Sequence, residues 1–184
     1  MPTIHVLSKR GNSKRFDSGA THITRDLYAT QLGGELVTKE LIRTNNIRHV
    51  AWIESDDGKP VAAAMLIQLR SEYYRVGGLA VDDAHKRKGY GTAIMARIQE
   101  LVPSGSRLIL GVDKDKETTE WLVEWYKRLG FMHLTETHDE VLLGKSVFRQ
   151  RAPTATEGRP PPPPHSSAGC ETARGASPGG HTGH

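Results

Sequence analysis

The sequence holds a single cysteine, Cys170, so no internal disulfide framework supports it. That residue stands in a polar stretch away from any obvious base, which argues against a thiol nucleophile. No apolar run approaches the roughly 18 residues of a membrane span. The amino terminus also lacks the basic, then apolar, then small-residue order of a signal sequence. A cytoplasmic location and no membrane partner are therefore expected. The histidines are scattered, with His165, His181 and His184 too sparse to form a ligand set, and no metal is expected. Charge of one sign is equally scarce. The net charge is +4, and in residues 150–184 Arg151, Arg159 and Arg174 nearly balance Glu157 and Glu171. So mild an excess does not call for a nucleic-acid partner, even with a pI near 9.3.

What is present suits one folded unit. The 184 residues, 36% hydrophobic and 25% charged, have room for one domain with a real core. Thr3 to Ser8 reads as a first strand and Lys9 to Asp17 as a polar loop. Between Ile23 and Ile42 apolar residues recur at helical spacing, interrupted at Gly33-Gly34, so two short helices are expected. His49 to Ser55 and Val61 to Leu69, apolar at nearly every position, flank the turn signal Asp56-Asp57-Gly58-Lys59. Tyr73 to Val81 reads as a third strand of this group, with Gly77-Gly78 marking a bulge or a close backbone approach. A helix carrying Ile94, Met95, Ile98, Leu101 and Val102 then leads to the short strand Leu108 to Val112, an expected parallel partner. A second helix, Thr118 to Leu129, is expected to turn Trp121, Leu122, Trp125 and Leu129 inward and to stop at Gly130. Phe131 to Thr135 and Val141 to Val147 close the pattern as a hairpin around His138-Asp139-Glu140. After this domain, residues 1–149, the Pro160 to Pro164 run and its Ser, Gly and Thr neighbours predict a disordered tail over 150–184, with a proline-rich ligand as the functional alternative.

The chemistry concentrates between Leu79 and Thr92. Lys86, Arg87 and Lys88 bring positive charge, Gly89 and Gly91 allow a tight turn, and the following helix offers unpaired N–H groups: an anion site. Two nucleotide patterns fail on spacing. A dinucleotide fingerprint would need glycine where Ile94 stands, and the mononucleotide Gly-Lys-Ser/Thr ending is absent.

A third pattern fits. Leu79-Ala80-Val81, seven residues, Gly89-Tyr90-Gly91 opening a helix, and then Trp125-Tyr126-Lys127-Arg128-Leu129-Gly130-Phe131 resemble the GNAT superfamily of acyl-CoA-dependent N-acetyltransferases. The resemblance covers His49 to Val147 and is strongest between Val76 and Phe131. It implies a mixed α/β fold, with a mainly antiparallel central sheet flanked by helices and a splayed parallel strand pair holding the cofactor. Acetyl-CoA is the implied co-substrate.

Position by position, the resemblance puts the coenzyme pyrophosphate on Lys86, Arg87, Lys88, Gly89, Tyr90, Gly91 and Thr92. Lys86 departs from the family's arginine or glutamine but keeps the charge. Leu79, Ala80 and Val81 match the strand whose backbone bonds the pantetheine arm and the acyl carbonyl. Tyr126 matches the general acid toward the departing thiolate. Thr118 and Thr119 stand where the family often has an asparagine near the cofactor. For the general base Glu54, Glu72, Asp82 and His85 are the candidates, with Glu72 preferred.

The implied function is transfer of an acetyl group to a primary amine by direct attack in a ternary complex, with no covalent enzyme intermediate. The alternative is the same fold as a non-catalytic acyl-CoA sensor or scaffold, and a nucleic-acid binder built on Lys86-Arg87-Lys88 is a weaker third. The acceptor, read by residues Ile23 to Ile42 and His138 to Glu140 in this family, is a small molecule, a protein amine or an aminoacyl-tRNA. Nucleic acid enters only as that last acceptor, and a homodimer is compatible with the family.

Overall fold

The computed structural model describes residues 2–10, 14–32, 39–114 and 117–148, the side chains of 39–41 excepted. The Gly33-Gly34 junction and the segment 150–184 lie outside these residues. Seven strands form one sheet in the order β1-β2-β3-β4-β5-β7-β6. They are β1 (Ile4–Ser8), β2 (Ile47–Glu54), β3 (Pro60–Arg70), β4 (Tyr73–Val81), β5 (Arg107–Asp113), β6 (Met132–Glu136) and β7 (Glu140–Ser146). Every neighbouring pair is antiparallel except β4 and β5. The helices are α1 (Lys14–Gln31), α2 (Lys39–Thr44), α3 (Tyr90–Leu101) and α4 (Thr119–Arg128).

β3 organises the core because it is apolar on both faces. Ala62, Ala64 and Leu66 join a cluster with Ile94, Met95 and Ile98 of α3. Ala63 and Met65, the residues between them, join a second cluster with Phe16, Ala20, Ile23 and Leu27 of α1. The period-two alternation of a strand thus feeds two cores, one on each side of the sheet. α3 covers β1 to β4 on one face, α1 covers β1, β3 and β4 on the other, and α4 packs on β5 and β7.

Two local expectations change. α1 begins at Lys14, inside the stretch read as loop, because its apolar stripe already starts at Phe16 and Ala20. Gly19 and the polar residues around it hide that stripe from a periodicity count. In α4 Leu122, Trp125 and Leu129 pack against the core as expected, Tyr126 is the most buried residue at 7% exposed, and Trp121 is 59% exposed. Trp121 alone of the expected four faces out, and it lies parallel to Trp125, centroids 6.2 Å apart and planes 3° apart. Among the described residues no helix is long and apolar enough to cross a membrane.

Candidate active site

β4 and β5 pair only through Tyr73, Tyr74 and Arg75 against Arg107, Leu108 and Ile109. Beyond Arg75 the strands part, and the β5-facing edge of β4 from Val76 to Val81 has no strand partner. The cause lies in β4 itself. Ala63 pairs with Ala80 and Met65 with Gly77, so one residue is inserted in β4 relative to β3. This is a β-bulge at Gly77-Gly78, with Gly78 in the left-handed region at φ 59°. The insertion reverses strand parity. Tyr74 and Val76 before it, and Leu79 and Val81 after it, all contact the α3-side core, while Ala80 packs toward α1.

The glycine turn follows at the open end of β4. Asp82 accepts from the Ala84 N–H at 3.0 Å and lies 3.0 Å from His85 Nδ1, shaping a short 3-10 turn over Asp83–His85. The His85 ring stacks on Tyr90, closing that turn onto the start of α3. Arg87 (φ 62°) and Gly89 (φ 81°) are both left-handed, and Gly89 is the N-cap of α3 without any side-chain cap. The first-turn N–H groups of α3 therefore remain available to an anion, aided by the helix dipole. Lys86 is ion-paired with Asp83, which also holds the Asp83 carboxyl below its ordinary range. Arg87 and Lys88 have no ion pair among the described residues, so they are the cations free to meet a ligand.

α4 closes on this turn from a distance in sequence. A Cβ placed at Gly91 would be 3.6 Å from Trp125 Cζ2 and Cη2 and 3.7 Å from Val81 Cγ2, ordinary contact distances. Trp125 thus joins the helix start, the end of β4 and α4. Its ring centroid is 4.7 Å from that of Tyr126, which meets Phe131 edge-on at 5.8 Å. Burial pushes the Tyr126 phenol well above the tyrosine range, so it keeps its proton at neutral pH. The end of α4 is held by Lys145 of β7, whose Nζ donates to the Leu129 carbonyl at 2.9 Å and to Gln99 Oε1 at 2.8 Å. Sequence reasoning missed this lysine, because its partners lie on two other helices' ends and leave no local pattern.

The other named positions fall as follows. Thr119 donates its hydroxyl to the Asp113 carbonyl at 2.7 Å, tying α4 to the end of β5. Glu54 accepts from Trp52 Nε1 at 2.7 Å on β2, away from the split. Glu72 is exposed in the β3–β4 turn, and its carbonyl accepts from the Arg107 N–H at 2.8 Å. That is the paired end of β4. Strand rise puts it roughly 20 Å from Leu79, too far for direct proton abstraction at an acyl group held there. Glu72 thus stands at the paired end of β4, and Leu79 to Val81 at the unpaired end.

On the α1 face the split is bordered by groups that the sequence did not single out. Arg75 Nη2 donates to both carboxylate oxygens of Glu140, at 2.7 and 2.9 Å, across Gly111 of β5. A cavity of about 560 Å³ lies beside Arg75, lined also by Asn46, Ile47, Met65 and Ile67. Met65 and Ile67, two of its lining residues, are also the side chains nearest a Cβ at Gly77.

Residues 47–133 match the sequence model described as an acetyltransferase (GNAT) domain. No curated protein sequence matches the chain. Solved structures do. The ribosomal-protein-S18-alanine N-acetyltransferase from Escherichia coli superposes with a TM-score of 0.55 at 17% identity, over 81% of this chain and 97% of that one. An aminoglycoside 6'-N-acetyltransferase complexed with coenzyme A gives 0.57 at 14% identity, over 80% and 99%. A GNAT family acetyltransferase from Elizabethkingia anophelis with acetyl-CoA bound gives 0.54 at 12% identity, over 78% and 97%. Such identities speak for the fold, and the motif carries the rest. By that match residues 47–133 form a GNAT acetyltransferase domain, and the sheet they belong to has the fold of the GNAT structures above.

Proposed function

We propose that this chain is an N-acetyltransferase that moves an acetyl group from acetyl-CoA to a primary amine by direct attack in a ternary complex. The observation that carries the reading is the split between β4 and β5, with the uncapped start of α3 after its open end and Trp125, in ring contact with Tyr126, beside Gly91. Arg87, Lys88 and the N–H groups from Gly89 to Thr92 take the pyrophosphate, each charge-assisted bond contributing about 1.5 to 3 kcal/mol. The free edge of Leu79, Ala80 and Val81 takes the pantetheine amides and aligns the thioester. A β4 N–H facing the acyl oxygen then stabilises the tetrahedral oxyanion.

Collapse of that intermediate expels the thiolate, which receives the Tyr126 proton. The amine must arrive neutral, and an alkylammonium with pKa near 10.4 loses about 4 to 5 kcal/mol to deprotonation at pH 7. With Glu72 at the far end of β4, that proton leaves through solvent or through a group on the α1 face. The acceptor enters from that face, through the cavity beside Arg75. The named acceptors of the neighbours, a ribosomal protein's alanine and an aminoglycoside, are both amines and support the amine class.

The test incubates the protein with acetyl-CoA and pooled amine classes while free thiol is followed. Thiol release with at least one class is the expected result. No release with any class, together with a melting temperature raised by coenzyme A, would establish the sensor or scaffold reading instead.

A further inference from the structure

Among the described residues, the buried side-chain polar atoms without a hydrogen-bond partner are Asp17 Oδ1 and the Tyr28 hydroxyl. Asp17 has Lys9 Nζ at 3.9 Å to answer its charge. Tyr28 has nothing. Its side chain is in the α1 core, 4% exposed, and a buried donor left unsatisfied is a cost that native structures seldom carry without use.

The place of this hydroxyl suggests the use. The ring lies on the bulge, with Cε2 at 2.6 Å and Cζ at 2.9 Å from where a Cβ of Gly78 would be. Cζ is the atom that bears the hydroxyl. The oxygen is therefore held beside the residue that precedes Leu79, within the stretch of β4 that has no β5 partner. Ring packing in the α1 core and the lack of any side chain on Gly78 fix this position from both sides.

We infer that the Tyr28 hydroxyl is a second donor to the carbonyl oxygen of an acyl thioester, forming the α1-side wall of the acyl slot. The inference rests on the coenzyme reading of the split given above. In the reaction the amine nitrogen bonds to the carbonyl carbon and the carbonyl electron pair moves onto oxygen. The phenol strengthens its hydrogen bond to that oxygen and keeps its own proton. The electron pair then returns, the C–S bond breaks, sulfur departs as thiolate and takes the Tyr126 proton, and the nitrogen sheds its extra proton to solvent, from which the Tyr126 phenolate is reprotonated. Burial favours this role over a base's, since it holds the phenol protonated.

The test uses the full chain and Tyr28→Phe, which preserves the ring and deletes only the hydroxyl. Acetyl-CoA and coenzyme A are titrated into both proteins by calorimetry. The expected result is that coenzyme A affinity is unchanged while the acetyl-CoA to coenzyme A affinity ratio falls about 2- to 10-fold in the variant. Its melting temperature without ligand is expected to equal or exceed that of the wild type, because an unsatisfied group has gone. Acetyl transfer to an acceptor found in the thiol screen is expected to fall about 10²-fold. An unchanged affinity ratio with unchanged transfer overturns the inference, and so does a lower melting temperature, which would mark the hydroxyl as structural. A wild-type chain that binds neither coenzyme overturns the coenzyme reading and this inference with it. Wild-type binding with an indifferent variant overturns this inference alone.

Discussion

Tyr28 and Gly78 meet so closely that a methyl group on the glycine would lie 2.6 Å from the tyrosine ring. Gly78 also needs a positive φ, so two penalties coincide. Gly78→Ala is expected to lower stability by about 2 to 4 kcal/mol, measured as a shift of the urea midpoint. Gly91→Ala is the contrast, since its nearest neighbours stand at 3.6 to 3.7 Å and its φ is not positive. It should leave the midpoint almost where it was. Equal losses at the two sites would contradict the geometry.

Tyr126→Phe separates binding from chemistry. The ring contacts with Trp125 and Phe131 are kept, and only the proton donor is lost. Turnover is expected to fall by about 10² or more with acetyl-CoA affinity nearly intact. Equal turnover would remove Tyr126 as the acid.

The three cations of the turn should not be equivalent. Lys86 already serves Asp83, whereas Arg87 and Lys88 have no ion pair among the described residues. Arg87→Ala and Lys88→Ala are each expected to weaken coenzyme A binding more than Lys86→Ala, with the differences shrinking as salt is raised. Trp121 and Trp125, stacked beside Gly91, offer an intrinsic fluorescence signal for the titration.

Alkaline pH should destabilise the fold through two tyrosines. Burial raises the phenols of Tyr28 and Tyr126, so the native state keeps protons that the unfolded chain releases above about pH 10. Their contribution is complete below that pH and is lost above it, by about 1.4 kcal/mol per pH unit for each. Lys145 acts in the opposite sense. Burial lowers its pKa, so its contribution grows as pH rises toward about 10.5. Urea midpoints between pH 9 and 12 should therefore fall at the upper end, and Tyr126→Phe should flatten the fall. A profile unchanged by that substitution would show that Tyr126 is not the residue responsible.

The sequence carried the coenzyme side of the molecule better than the acceptor side, for physical reasons. The turn, Leu79 to Val81 and Tyr126 sit in short segments whose spacing is fixed by one bulge and two helix starts, so local pattern exposes them. β3 was legible because a stretch apolar at every position from Val61 to Ile67 fits few settings other than a strand covered on both faces. Arg75 with Glu140, and Lys145 with Leu129 and Gln99, are contacts between residues far apart in the chain, and no period records them. Trp121 misled because Trp121, Leu122, Trp125 and Leu129 share a helical face, and only tertiary packing selects which of them is covered. Glu72 was named from its adjacency to β4 in sequence, and adjacency says nothing about which end of that strand is open.

The extra residue in β4 works as a phase shift. Before it the strand is in step with β3, and after it the side chains of Leu79 and Val81 occupy the face that continued alternation would have given to Ala80. Deleting either Gly77 or Gly78 would restore that alternation, send Leu79 and Val81 toward α1 and bring Ala80 to the α3 face. Such a chain would have a more regular sheet, so the side chains that β4 turns to each core beyond Gly78 are set by a single inserted residue.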